Sequence, residues 1–109
     1  MTSTPDQRPD SHQSRFLERL RARPLSSWSH GERYAAARRS LGLLAAWEWA
    51  ADGRPGSPPE VPDLGAVAIA DQLTVLVLEA ERSGVDPDRL TALLAELADA
   101  LHVRFDGPR

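Results

Sequence analysis

With 109 residues, 41% of them apolar and 27% charged, the sequence has the makeup of one globular domain around one modest core. It contains no cysteine and carries a net charge of −3, which excludes disulfides, thiolate chemistry and a uniformly basic nucleic-acid binder. No run reaches the roughly 18–20 apolar residues of a membrane span, and the opening residues hold no apolar signal core, so a cytoplasmic setting is expected.

Ala and Leu dominate and β-branched residues are few, a mix that favours helix over sheet. All 13 basic residues are Arg, and Lys and Asn are absent. That usage reflects GC-rich codons and points to a high-GC bacterial genome, so each Arg need not have been selected for guanidinium chemistry. Charge is unevenly placed: residues 15–39 hold seven Arg against Glu18 and Glu32, whereas residues 53–109 hold ten acids against five Arg.

Residues 1–12, polar with Pro5 and Pro9, read as a disordered tail. A short helix follows at about residues 14–23 and stops at Pro24. Its apolar residues are Phe16, Leu17 and Leu20, too few for independent stability, so it must dock or fray. Arg15, Arg19 and Arg23 recur every four residues along it, with Arg21 to one side. Such a stripe tracks phosphates or meets an acidic partner helix, although a solvated face is the commoner meaning. Together with Arg38 and Arg39 these are the candidates for an anionic partner.

Ser29-His30-Gly31-Glu32 has the spacing of a capping box and opens a helix over residues 30–52, ended by Gly53. One face carries Tyr34, Ala37, Leu41, Leu44 and Ala45, and a flanking face Leu43, Trp47 and Ala50. Ala35, Gly42 and Ala46 form a strip of small residues that would let another helix come close. Trp47 and Trp49 differ by about 200° around the helix, so they cannot share one core. One of them is expected at a rim or an interface, where Trp is enriched.

Residues 53–62 form a Pro-rich connector. Its two PxxP matches, Pro55 to Pro58 and Pro59 to Pro62, read as a stiff spacer. Asp63 is placed to cap a central helix over residues 64–83. That helix has two apolar stripes. One holds Ala66, Ile69, Ala70, Leu73, Leu76, Val77 and Ala80; the other holds Leu64, Val67, Asp71, Val75 and Leu78. A surface helix needs only one, so burial on both sides is implied. Asp71 should then meet Arg38 or Arg39, or face solvent at a gap, because an unpaired buried carboxylate is costly. Gly84 ends this helix, and Asp86-Pro87-Asp88 opens a last one over residues 87–104. Leu90, Leu93, Leu94, Leu97, Leu101 and Phe105 line its inner stripe, and residues 106–109 should fray.

The expected architecture is an all-α, up-down-up three-helix bundle with an additional short N-terminal helix, dimerising through apolar surface that one small core cannot hide. His12, His30 and His102 have no metal-ligand spacing, and no cofactor motif or catalytic set occurs. The expected function is that of a small non-enzymatic interaction or regulatory module working through protein–protein contacts, with itself as the foremost partner. Its candidate interface residues are Trp47, Trp49, Val67, Asp71, Val75 and Leu78. The alternatives are a nucleic-acid-associated regulator using the Arg15/Arg19/Arg23 stripe, and a small-ligand site beside Asp71.

Overall fold

The computed structural model describes residues 11–105. The tails assigned to residues 1–10 and 106–109 lie outside them. The elements are α1 (Ser11–Ala22), a 3-10 turn (Leu25–Ser29), α2 (Arg33–Ala51), α3 (Ala66–Arg82) and α4 (Pro87–Leu101). Among the described residues there is no strand, and no helix is long and apolar enough to cross a membrane.

α1 begins three residues before the expected start, taking Ser11 and His12 from the tail. Its three apolar residues dock: Phe16, Leu17 and Leu20 are all buried. Phe16 packs edge-on against Phe105, with centroids 5.5 Å apart. Three helices share one ending. The amides of Gly53 and Arg54, Gly84 and Val85, and His102 and Val103 bond back to the last carbonyls of α2, α3 and α4, as in a Schellman turn. Gly53 and Gly84 supply the left-handed residue, as their position in the sequence suggested. His102 does so without being glycine, which ends α4 before residue 104.

Two helix starts differ from expectation. The capping box does not form: Ser29 Oγ donates to the Ser26 carbonyl and Gly31 turns left-handed, so α2 opens at Arg33. Serine hydroxyls compete for nearby backbone groups in this way. Asp63 does not cap α3. Its Oδ1 accepts from the Gly65 amide and from the Tyr34 hydroxyl, and α3 starts after Gly65.

Residue pairings give the helix directions. Tyr34, at the start of α2, donates to Asp63, just ahead of α3. Glu48, near the end of α2, has its carboxyl pushed up by burial and then by the charges of Glu79, near the end of α3, and Asp52. Start meets start and end meets end, so α2 and α3 run parallel. Arg89, at the start of α4, lies over Trp47 near the end of α2, so α4 runs the opposite way. Arg21 of α1 reaches Asp71 of α3, while Ser14 shares a recess with Leu78 and Glu81, so α1 opposes α3. The order is therefore up-down-down-up, which corrects the expected up-down-up run of the last three helices.

The connector explains the change. The 19 residues of α2 span about 28 Å at 1.5 Å per residue. Ten residues of Pro-rich chain reach about 31 Å, enough to return along the whole helix. The chain does return: Trp49 Nε1 donates to the Pro55 carbonyl, Pro58 to Val61 lie along Gly42 and Ala45, and Arg38 donates to the Val61 and Pro62 carbonyls. The spacer is thus a strap on α2 that delivers α3 to its starting end.

The core lies where the four helices meet. Phe16, Leu20, Leu41, Leu44, Ile69, Leu73, Leu90, Leu94 and Leu101 are its largest sealed side chains. Each such residue contributes about 1.5–3 kcal/mol by leaving water.

No helix presses on Gly42, the glycine of the small-residue strip of α2. A Cβ added at Gly42 would meet nothing within 4 Å, even on the side where the connector passes. Gly42→Ala should therefore raise stability by about 1 kcal/mol, the propensity difference alone. An upward shift of the urea midpoint with an unchanged slope checks this. A downward shift would mean that the connector sits closer than described.

Candidate functional site

α3 buries one of its two stripes and leaves the other bare. Ile69, Ala70, Leu73, Val77 and Ala80 are buried, and Leu76 is half-buried against the core. On the opposite side Val67 is 73% exposed, Val75 54% and Leu78 46%, and Leu64, expected within the helix but left in the connector just ahead of it, is 56% exposed. These four make up most of the exposed large apolar side chains among the described residues; the others are Leu25 and Leu43. An exposed apolar row of this kind makes this side of α3 the candidate site.

A groove of about 340 Å³ runs beside this face, lined almost wholly by apolar surface from Val61, Leu64, Ala68, Val75 and Leu76, with Asp71 and Gln72. The connector forms its far wall. Gln72 Nε2 donates to the Pro62 carbonyl at 3.0 Å, and its Oε1 is buried without a hydrogen-bond partner. Past the Asp71–Val75 ridge, a smaller recess opens between α1 and α3, lined by Ser14, Leu17, Arg21, Thr74 and Leu78 among others.

Asp71 is not a buried charge. Its side chain is 66% exposed and pairs with Arg21 Nε at 3.0 Å. Arg21 also approaches Glu18 at 3.6 Å. An exposed pair of this kind is worth at most about 1 kcal/mol. The expected partners lie elsewhere: Arg38 holds connector carbonyls, and Arg39 is an exposed residue beside the shallow α2–α4 groove. The second stripe of α3 therefore reaches solvent along its whole length, Asp71 included.

Neither Trp belongs to this face. Trp47 is half-buried under Arg89, whose guanidinium lies 4.4 Å from the ring centre. Trp49 is half-buried under Arg54 at 4.8 Å, with its N–H on the Pro55 carbonyl. Each indole is roofed by an Arg from its own chain, which accounts for both rings despite the 200° between them. Trp47 thereby ties α4 to α2, and Trp49 ties down the connector.

The Arg stripe of α1 is engaged within the chain. Arg15 lies 3.1 Å from His12 Nδ1, and Arg19 donates to the Arg104 carbonyl. Arg23 stacks on the buried Trp28 and donates to Ser27 Oγ. Burial, and then the nearby Arg33, pulls the Arg23 guanidinium below its ordinary range.

The connector is latched at its far end. The Tyr34–Asp63 hydrogen bond, and then the Gly65 amide, hold the Asp63 carboxyl below the usual carboxylate range. The same bond, and then burial, pushes the Tyr34 hydroxyl up. Among the described residues no group of three or more His, Cys, Asp or Glu side chains is placed to hold a metal ion.

The structure thus gathers Val67, Asp71, Val75 and Leu78 on one surface and separates Trp47 and Trp49 from it. Val61, Ala68, Gln72 and Arg21 complete the site and were not singled out by the sequence. The signal for Val61 was present, as a lone large apolar residue in a Pro-rich connector. No family model, curated protein or solved structure matches this chain.

Proposed function

We propose that this protein is a helical interaction module that acts through the outer face of α3 and pairs there with a second copy of itself. The observation that carries this reading is the bare stripe of Leu64, Val67, Val75 and Leu78 beside an apolar groove. Covering what these residues still expose gains on the order of 1 kcal/mol each. Both copies contribute, against an association cost of at least about 4 kcal/mol. The balance allows at most a weak pair, with a dissociation constant on the order of 1 mM.

Sedimentation equilibrium tests this. From about 10 µM to about 2 mM, a range that brackets the estimated constant, the average mass should climb from 11.9 kDa toward twice that value. A mass that stays at 11.9 kDa throughout overturns the reading.

A small ligand in the same groove is a second reading, favoured by one observation: the carboxylate of Asp71 is the one charged group on an otherwise apolar lining and can accept from an N–H or O–H donor. Small amines and amides would then raise the melting temperature, and Asp71→Asn would lose that rise. The phosphate-tracking reading draws little support, since the intramolecular contacts of Arg15, Arg19 and Arg23 must be broken or shared for it.

A further inference from the structure

We infer that Arg23 and Arg33 form an oxyanion site at the turn between α1 and α2, suited to the phosphoryl group of inorganic phosphate or of a small phosphate monoester. The site lies away from the outer face of α3, so it stands or falls independently of the self-pairing reading. The turn builds it. α1 ends at Ala22, the 3-10 turn runs from Leu25 to Ser29, and α2 opens at Arg33. Both arginines converge on one seryl residue. Arg23 Nε donates to Ser27 Oγ, and Arg33 Nη1 donates to the Ser27 carbonyl, each at 3.2 Å. Ser27 is itself fixed, because its hydroxyl and its amide both donate to the Pro24 carbonyl. Arg23 also lies over Trp28, 5.8 Å from the ring centre, and Trp28 is 2% exposed. Two guanidiniums are thus held in place by the chain alone. A pair already ordered in this way loses little freedom when a ligand arrives.

What the pair lacks is a counter-charge. Arg21, Arg54 and Arg82 each sit within 4 Å of a carboxylate. Among the described residues Arg23 and Arg33 pair with none, although Glu32 adjoins Arg33 in sequence. Both are half-buried. The consequence is felt at Arg23, whose guanidinium is pulled below its ordinary range by burial and then by Arg33. Like charges brought together and partly desolvated favour an anion that answers both. The positive end of the α2 dipole adds to this at Arg33, where Glu32 supplies no side-chain cap.

The donor set selects the anion. Each guanidinium gives one N–H to Ser27 and keeps the rest of its fork. A carboxylate is satisfied by a single fork. A phosphoryl group carries roughly two negative charges and several acceptor oxygens, so it can meet both guanidiniums at once. A row of phosphates along α1 would need Arg15 and Arg19 as well, and those contact His12 and the Arg104 carbonyl. One phosphoryl group at the turn needs neither.

Amide spectra of isotope-labelled protein, at one protein concentration and constant ionic strength, test the site with inorganic phosphate, phenyl phosphate and acetate as probes. The expected result is a saturable shift of the Ser27 amide and the Trp28 indole N–H with both phosphoryl probes, and none with acetate. Tighter binding of phenyl phosphate assigns the site to monoesters; equal or weaker binding assigns it to the free ion. Arg33→Gln should weaken phosphate by about tenfold or more, the loss of a hydrogen bond to a charged group. Arg39→Gln, which alters an exposed Arg farther along α2, should leave binding unchanged. Arg33→Lys keeps the charge and should retain part of the affinity, which serves if Arg33→Gln does not fold. No saturable shift by about 50 mM phosphate, or an Arg33→Gln protein that binds like the wild type, overturns the proposal. Equal shifts with acetate also overturn it and mean an adventitious ion only.

Discussion

Deleting residues 55–60 will destroy the cooperative unfolding transition. Fourteen residues separate α2 from α3, and the deletion leaves eight. At about 3.4 Å per residue the nine steps from Ala51 to Ala66 reach about 31 Å, and only when fully stretched. The chain must cover about 28 Å to return from the end of α2 to its beginning, with turns at Gly53 and Gly65 as well. Those turns take up more than the few ångströms to spare, so the parallel arrangement of α2 and α3 can be kept only by unwinding helix ends. Otherwise the buried faces of α3 lose their partners, at a cost that exceeds the roughly 5–15 kcal/mol by which a domain is stable. Packing loss alone would not have this effect, because five of the six deleted residues are exposed and Pro58 is half-buried. Replacing the same six residues by Gly and Ser without shortening should leave a cooperative fold of reduced stability. Circular dichroism during heating separates the cases. If the shortened protein melts as sharply as the wild type, α2 and α3 form an ordinary antiparallel hairpin, which needs only about 2–8 linking residues.

Phe16→Ala will cost about 3–5 kcal/mol, the usual toll for emptying a sealed aromatic site. Phe16 is fully buried and meets the Phe105 ring at 84°, so the change removes both area and an edge-on aromatic contact. α1 has only Leu17 and Leu20 besides Phe16 to hold its apolar side in place. Its remaining anchors are polar and few: Gln13 on Thr91, Arg19 on the Arg104 carbonyl, and Arg21 on Asp71. Loosened at its centre, α1 should fray, exposing the α3 flank and freeing Asp71. A urea titration with the slope retained reads the loss. Amide exchange should show α1 opening at a lower free energy than α2 and α3. A loss below about 1 kcal/mol, the size of an ordinary surface change, would mean that α1 contributes little to the core.

Sequence alone revealed the helical class, because apolar periodicity and terminal glycines are local properties. The buried stripe of α3, the inner stripe of α4 and the stops at Gly53 and Gly84 are all in place. Features that depend on a partner distant in sequence were not legible. A helical projection places Asp71 on a stripe but says nothing of which element flanks that stripe, and the partner proved to be Arg21, 50 residues away. Asp63 has a good capping side chain, yet the Tyr34 hydroxyl and the Gly65 amide claim it. Trp47 and Trp49 looked like competitors for one core. Arg89 and Arg54, which roof them, come from a later helix and from the connector. The direction of α3 was within reach of sequence reasoning through length: a stiff segment about as long as the helix before it returns the chain to that helix's start.

The same length argument bears on the candidate site. Because the connector delivers α3 parallel to α2, Val61 and Leu64 form one wall of the groove beside the bare stripe. In a hairpin arrangement they would sit at a turn. The candidate face is thus a product of the connector as much as of the helix.

The most direct test of the central claim is a dilution series of amide spectra on isotope-labelled protein across the micromolar-to-millimolar range. A weak pair in fast exchange should shift the signals of Val67, Ala68, Asp71, Val75 and Leu78, with Val61 and Arg21 following, while Trp47 and Trp49 stay fixed. Spectra that do not change with concentration, or shifts gathered around Trp47, Trp49 or the Arg15–Arg19 side of α1, would contradict the assignment of function to the outer face of α3.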